Sequence, residues 1–439
     1  MEDSTIDPMQ ESAVQARAEP EGLWAADIFD LPTERLDDIM DRDLAYGISL
    51  VSDWLVRNSR TADMPEERIT MLCERLRALG LPLDRYGSST EILDVEHDAI
   101  ARIWVRGRGV TTRTYIREVG DSQYLTSPFH EAARTGRAVE LHLPQTDDAR
   151  FAVVAELKAD GFAHYLCVPI TLMSGSHGWV TFATRRRSGF SRAEVAALAR
   201  LLPAIAMLID LRSTWLSLDK LLRTYVGDEP HRAILQGNTK RGQVSTIRSA
   251  MLFADMRDSV GYTVDLDAVA AVGVFNALFD CLVPSIESRG GEVLKYMGDG
   301  LLAIFRENDR ERSGAADRAL AAAVGAMRVL DARNVAHPEE RPIEAGVALH
   351  YGEAAYGNIG SGVRLDFTVI GKDVGLASRI AALNRPLEQP VLMSTEFVER
   401  LDRTAVRIGA FPMRGFKQPI DVFRPEAEIL ANRAVRSVS

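Results

Sequence analysis

The sequence predicts an α+β protein of at least two domains, and three observations carry that reading. The chain has 439 residues, and at roughly 100 to 200 residues per domain this allows two or three cores. Its first half interleaves amphipathic helical stretches with short alternating or apolar β-like runs, the pattern of helices flanking a mostly antiparallel sheet. From Ser249 the texture changes, because SAMLFADMRDS is an apolar run that delivers an aspartate to the end of a strand.

Composition narrows the class. Hydrophobic residues make up 46% and charged residues 26%, which excludes a disordered or collagen-like chain. A net charge of −10 gives the surface no overall attraction for nucleic acid or anionic lipid, so neither is an expected partner. The three cysteines, Cys73, Cys167 and Cys281, are far apart and lack CxxC spacing, which writes neither a disulfide framework nor a zinc site. The first residues are acidic and polar, and no run approaches roughly 18 uninterrupted apolar residues, so a cytoplasmic, non-membrane protein is expected.

Residues 1–40 are expected to be a flexible tail, since 1–24 show no hydrophobic periodicity. Helices are expected near 41–58 and 65–79, where Ile69, Leu72, Leu76 and Leu79 keep helical spacing until Gly80 and Pro82. Strands follow near 100–106 and 112–118, then a short helix opened by Ser127-Pro128 and closed by Gly136, a strand through Val139, Leu141 and Leu143, and a helix near 149–159. FAHYLCVPITL and GWVTFAT read as two further strands. Ser191 with Glu194 is a capping box that opens a long helix. Leu216 to Tyr225 can extend it before a break and a basic linker, the coupling rod of a two-domain protein. His130, His142 and His164 lack metal-motif spacing and read as ordinary pocket or surface residues.

This order of elements resembles a GAF domain, most closely from Lys158 through Arg192 (KADGFAHYLCVPI, GWVTFAT, GFSRAEV). The resemblance implies a GAF-like sensor over 41–212 with a possible small-molecule ligand, followed by a helical and basic linker over 213–245.

In the second half, a helix from about Asp267 to Arg289 ends at Gly290-Gly291 and leads into EVLKYMGDGLLAIF, two short strands joined at Gly298-Asp299-Gly300. The helix has the length of a crossover between adjacent strands, which would bring Asp255 and Asp299 side by side. Two carboxylates at strand ends make a hard-oxygen site for Mg²⁺ or Mn²⁺, ions that keep water and substrate phosphates as their other ligands, and two-metal phosphoryl transfer is the corresponding chemistry.

FADMRD, the KYMGDG turn and RLDFTVIGKDVGLASRI together resemble the catalytic domain of class III adenylate and guanylate cyclases over about 246–428, with 429–439 a C-terminal tail. The resemblance implies a ferredoxin-like βαββαβ fold, two divalent metal ions held by Asp255 and Asp299, and Arg379 neutralising charge on the α-phosphate. It further implies that Lys295 and Thr368 select the base, that Met256, Arg257, Asp258 and Ser259 lie at the substrate, and that Arg414 clamps the terminal phosphates, with Lys417 as the alternative. Lysine is donor-only and suits adenine N1, so ATP is expected over GTP. Gly375 stands where the family usually has a ribose-orienting asparagine. That departure keeps a weak or silent nucleotide-binding regulator open beside the adenylate cyclase, with a guanylate cyclase as a third reading. Because the family divides each site between two subunits, a homodimer is implied.

Overall fold

The computed structural model describes residues 25–58, 65–94, 97–116, 124–307, 314–362 and 364–426. The chain forms two compact units, Met1–Leu221 and Leu222–Ser439.

The first unit is built on six antiparallel strands: β1 (Arg85–Glu91), β2 (Ala99–Val105), β3 (Gly109–Tyr115), β4 (Val139–His142), β5 (His164–Thr171) and β6 (His177–Thr184), in the order β3-β2-β1-β6-β5-β4. Helices α1 (Ala25–Ile28), α2 (Thr33–Ile39), α3 (Arg42–Arg57) and α4 (Pro65–Ala78) precede the sheet. α5 (Pro128–Thr135) and α6 (Val153–Ala159) lie between strands, and α7 (Arg192–Val226) follows the last one. Alternation divides the strands between two cores. Tyr86, Trp104 and Phe182 face Ile48, Leu76 and Leu198 of the helices, while Leu141, Tyr165 and Trp179 face Val154 and Leu157. Cys167, expected as a small core residue, is buried in the second group.

The local signals work as read. Glu194 Oε2 accepts from Ser191 N at 2.7 Å and Ser191 Oγ accepts from Glu194 N at 3.3 Å, the two halves of a capping box. Ser127 caps α5, and Gly136 ends it at φ 68°, a conformation that glycine adopts without Cβ strain.

Two expectations are corrected. The tail does not reach residue 40: α1 and α2 are helical, and Ile28 and Leu36 are buried in the main core. Those few apolar residues are too short a run to register as a period, and they are fixed by tertiary contact. β1 carries the polar sequence RYGSSTE, whose pattern does not predict a strand, yet it is a central strand paired with both β2 and β6. Residues 1–24 and 427–439 lie outside the described residues.

The second unit begins with α8 (Asp228–Leu235) and carries β7 (Val244–Met256), α9 (Ser259–Asp265), α10 (Ala268–Glu287), β8 (Gly291–Met297), β9 (Gly300–Arg306) and α11 (Ala315–Ala336). It continues with β10 (Ala345–Ser361), β11 (Arg364–Ile370), α12 (Lys372–Ala381), β12 (Val391–Ser394), α13 (Thr395–Val398), β13 (Ala405–Phe411) and β14 (Ile420–Pro425). The sheet order is β13-β14-β12-β10-β7-β9-β8, with β11 paired to β10. Leu278, Leu282 and Ile286 of α10 and Leu320 and Met327 of α11 pack with Leu252, Phe305 and Leu349 of the sheet. Each such side chain contributes about 1.5 to 3 kcal/mol by leaving water.

The crossover differs from expectation. α10 takes the chain past one position to the edge strand β8, and β9 returns antiparallel to fill the place beside β7. The two aspartates still meet, because the hairpin turn between β8 and β9 brings Asp299 back to the end of β7. Among the described residues α10 is the one helix long and apolar enough to cross a membrane. Here it is a crossover helix, with Leu278, Cys281 and Leu282 buried in the core.

Candidate active site

The acidic centre sits where three strands end. Asp255 is the penultimate residue of β7, and its cross-strand partners are both glycines, Gly300 on β9 and Gly346 on β10. Asp299 lies in the β8–β9 turn, and its carbonyl accepts from Met256 N at 3.1 Å, which locks that turn against the end of β7. A Cβ on Gly300 would stand 2.8 Å from Asp255 Oδ1 and 2.7 Å from Ala254 O. The glycine therefore leaves the space in which the carboxylate lies. Partial burial, and then the charge of Asp299, push the Asp255 carboxyl up to about 6.

Two oxygen-donor side chains that repel one another, beside a space kept clear by glycine, fit a hard divalent cation. Such an ion relieves the repulsion and takes its remaining ligands from water or phosphate.

The residues that follow Asp255 are held by their own partners. The Met256 side chain is buried in the core. Arg257 Nη2 donates to Asn384 O at 3.1 Å and Gln389 O at 2.8 Å. Asp258, at φ 56°, pairs with Arg341, and Ser259 opens α9. The backbone N–H groups of Met256 and Arg257 are engaged too, donating to Asp299 O at 3.1 Å and Glu344 O at 2.8 Å.

A second group forms on β8 and β11. Lys295 Nζ makes an ion pair with Asp366. Asp366 and Thr368 alternate onto one face of β11, opposite Ile359 and Gly357 of β10. Sequence reasoning found Lys295 and Thr368 but missed Asp366; the signal was its place two residues before Thr368 on the same strand face.

The third group lies on α12 and the loop before β14. Arg379 Nη1 donates to Gly375 O, one turn back, at 2.6 Å, and its guanidinium lies 5.9 Å from the Phe416 ring centroid. A Cβ at Gly375 would come within 2.7 Å of that same nitrogen, so the glycine is what admits this folded-back rotamer. Arg414 and Lys417 flank Phe416, are exposed, and make no ion pair among the described residues. Among the described residues no hydrogen bond or ion pair joins the acidic pair to Lys295, Thr368 or Arg379; the three groups stand separately within this chain.

Residues 243–424 match the adenylate and guanylate cyclase catalytic domain, and residues 66–210 match the GAF domain. Residues 243–424 thus form a domain of the adenylate and guanylate cyclase catalytic family, and residues 66–210 a GAF domain. The catalytic domain is similar to an adenylate cyclase of Anabaena cylindrica, 33% identical over 177 residues that make up 37% of this chain and 33% of the relative. It is also similar to the terminal-differentiation-specific adenylate cyclase of Dictyostelium discoideum, 26% identical over 39% of this chain and 8% of that protein. The chain thus spans about a third or less of the length of these curated relatives. Among solved structures, the guanylyl cyclase Cya2 is 25% identical with a TM-score of 0.36, over 41% of this chain and 92% of that one. The adenylyl cyclase CyaB from P. aeruginosa is 24% identical with the same TM-score of 0.36, over 41% and 94%.

One further cluster lies in the GAF domain, where Glu140, His142 and His164 bring ligand-type atoms together. His164 is buried, its Nδ1 accepts from Phe190 N at 3.0 Å, and its Nε2 lies 2.9 Å from Glu140 Oε1. An acceptor Nδ1 puts the proton on Nε2, so the pair is a satisfied hydrogen bond and not an open metal ligand.

Proposed function

We propose that the chain is an adenylate cyclase that converts ATP to 3′,5′-cyclic AMP and pyrophosphate at a homodimer interface, under control of its GAF domain, in the cytoplasm. The observation that carries this reading is the convergence of Asp255 and Asp299 at paired strand ends, with Lys295 on the same hairpin.

In the reaction the ribose 3′-hydroxyl gives up its proton to water as its oxygen bonds to the α-phosphorus, the bond from that phosphorus to the bridging oxygen breaks, and pyrophosphate leaves. Asp255 and Asp299 would hold two divalent ions, Mg²⁺ or Mn²⁺, which supply charge neutralisation for the triphosphate when bound. Lys295 Nζ exchanges Asp366 for adenine N1, and Thr368 Oγ1 accepts from the exocyclic amine. Arg379 swings from the Gly375 carbonyl to the α-phosphate, where a charged donor aimed at developing charge is worth roughly 3 kcal/mol. Arg414 or Lys417 holds the terminal phosphates.

The dimer has support from exposed apolar residues beside the acidic centre. Val260 and Val264 on α9 and Val269 and Val272 on α10 are 54% to 84% exposed, a patch that a partner surface would cover. The separation of the acidic, base-selecting and arginine groups within one chain also fits a site completed across two subunits.

The test is cyclic nucleotide formation by the full chain with ATP or GTP in Mg²⁺ and in Mn²⁺. Cyclic AMP formation that is lost in Asp255→Asn and in Asp299→Asn sustains the reading, and equal turnover of GTP overturns the base assignment. A second reading, a nucleotide-binding regulator of little or no turnover, is favoured by the Arg379–Gly375 hydrogen bond. It requires ATP binding with no cyclic product even in Mn²⁺.

A further inference from the structure

A cavity of about 70 Å³ lies between the GAF sheet and its helices, bounded by α3, α4, β1, β2 and α7. A water needs roughly 10 to 15 Å³ on such a measure, so the space takes a molecule of several heavy atoms. Its chemistry is divided. Leu72, Ile100, Ile205 and Ile209 form an apolar wall, while Arg68, Arg102 and Arg212 enter from three different elements, with the hydroxyls of Ser88 and Ser213 beside them.

The arginines are not placed as surface charges. Arg68 is 6% exposed. Arg102 Nε is buried with no hydrogen-bond acceptor; its ion pair with Glu66 Oε1 is loose at 3.7 Å, and that oxygen also accepts from Thr112 Oγ1 at 3.1 Å. Desolvation lowers the Arg212 guanidinium, and Arg102 and Arg68 lower it further against the opposing pull of Glu66. Desolvation lowers Arg102 as well, again against the pull of Glu66, the one carboxylate that the cluster shares. Gathering like charges in a half-buried space is unfavourable unless an anion joins them. A guanidinium fork is the group that reads a planar or tetrahedral oxyanion.

We propose that this cavity binds a small organic anion, a carboxylate or phosphoryl head on a short hydrocarbon body, with the head held by Arg102 and Arg212 and the body lying along Ile205 and Ile209. The wall of aliphatic carbon argues against a bare inorganic ion as the full occupant, and the arginines argue against a neutral hydrocarbon. Only the consequence for turnover rests on the cyclase reading above. Binding itself is independent of it.

The experiment is calorimetry and thermal unfolding of the full chain with pentanoate, pentanamide and inorganic phosphate. Pentanoate is expected to bind and to raise the first melting transition, pentanamide to do neither, and phosphate to compete with pentanoate for the head position. Arg102→Gln and Arg212→Gln are each expected to weaken pentanoate about tenfold or more, the loss of one charged hydrogen-bonding donor. Ile209→Phe, which fills the space and keeps every arginine, is expected to abolish binding of pentanoate and leave phosphate binding. Phosphate binding that Arg102→Gln removes, with no pentanoate binding, sustains the oxyanion site and assigns a phosphoryl head. Equal binding of pentanamide and pentanoate overturns the proposal. So does binding that is unchanged in Arg102→Gln with a native circular dichroism spectrum, or no binding by either anion. Each readout is a binding readout, so an inactive cyclase would leave the result interpretable.

Discussion

The two domains each hold a cluster of like charge, and they hold it differently. In the cyclase domain Asp255 and Asp299 meet at open strand ends, where Gly300 keeps a space clear and solvent has access. In the GAF domain Arg68, Arg102 and Arg212 meet behind a sheet, against aliphatic side chains. An open acidic pair suits an ion that keeps water and phosphate oxygens as further ligands. A half-buried basic group suits a ligand that gives up much of its water for guanidinium donors and an apolar wall. The same repulsion suits a shared, exchangeable cation in one place and a half-buried anion in the other.

That contrast breaks most sharply under charge removal. Asp255→Asn or Asp299→Asn should lower cyclic nucleotide formation by about a thousandfold or more, since the cation loses one of its two protein carboxylates. Arg102→Gln should lower turnover far less than either aspartate variant does. A steady-state assay of the three variants at saturating metal decides it, and comparable losses in all three would merge the two clusters into one structural requirement.

Next in size is the group proposed to select the base. Lys295→Ala should lower kcat/KM for ATP about a hundredfold, as a charged donor to the adenine ring is lost, and should lower it less for GTP, so that the ratio between the two narrows. An unchanged ratio would remove Lys295 from base selection and leave its ion pair with Asp366 as a strand-to-strand tie.

How much of this was legible in the sequence follows from how each feature is encoded. The aspartates were legible because each sits in a contiguous string, an apolar strand into Asp255 and a glycine turn around Asp299. The capping box was legible for the same reason: Ser191 and Glu194 are three residues apart and act on one another. β1 was not, because RYGSSTE has neither strong alternation nor β-branched bulk and owes its place to pairing with β2 and β6. The arginine cavity was invisible, since Arg68, Arg102 and Arg212 belong to α4, β2 and α7 and no local spacing links them. The ion pair of Lys295 with Asp366 joins two strands distant in sequence, and the fold-back of Arg379 depends on a missing side chain.

That missing side chain gives a smaller effect. In Gly375→Asn the new Cβ displaces the Arg379 guanidinium from the Gly375 carbonyl and adds an amide near the ribose. Turnover should rise by up to about tenfold through better positioning. No change in single-turnover rate would mean that bound nucleotide already draws Arg379 off the helix, and it would weaken the silent-regulator reading.

The smallest effect isolates the repulsion itself. In metal-free protein the Asp255 carboxyl titrates at about 6, above its ordinary 3.8, so the folded state binds that proton more tightly than the unfolded state does. The stabilising contribution of the protonated form is therefore complete below about pH 3.8 and lost as the pH rises through about 6. Asp255→Asn removes the charge at every pH. With chelator present it should unfold about 2 °C higher than the native chain at pH 8, with the difference shrinking as the pH falls from about 6 toward 4. Added Mg²⁺ or Mn²⁺ should raise the native chain and leave the variant nearly unmoved, reversing their order. A variant that melts lower than the native chain at pH 8 without metal would mean that Asp255 makes a net favourable contact in the empty centre. The repulsion between the two carboxylates would then no longer be what prepares this site for a cation.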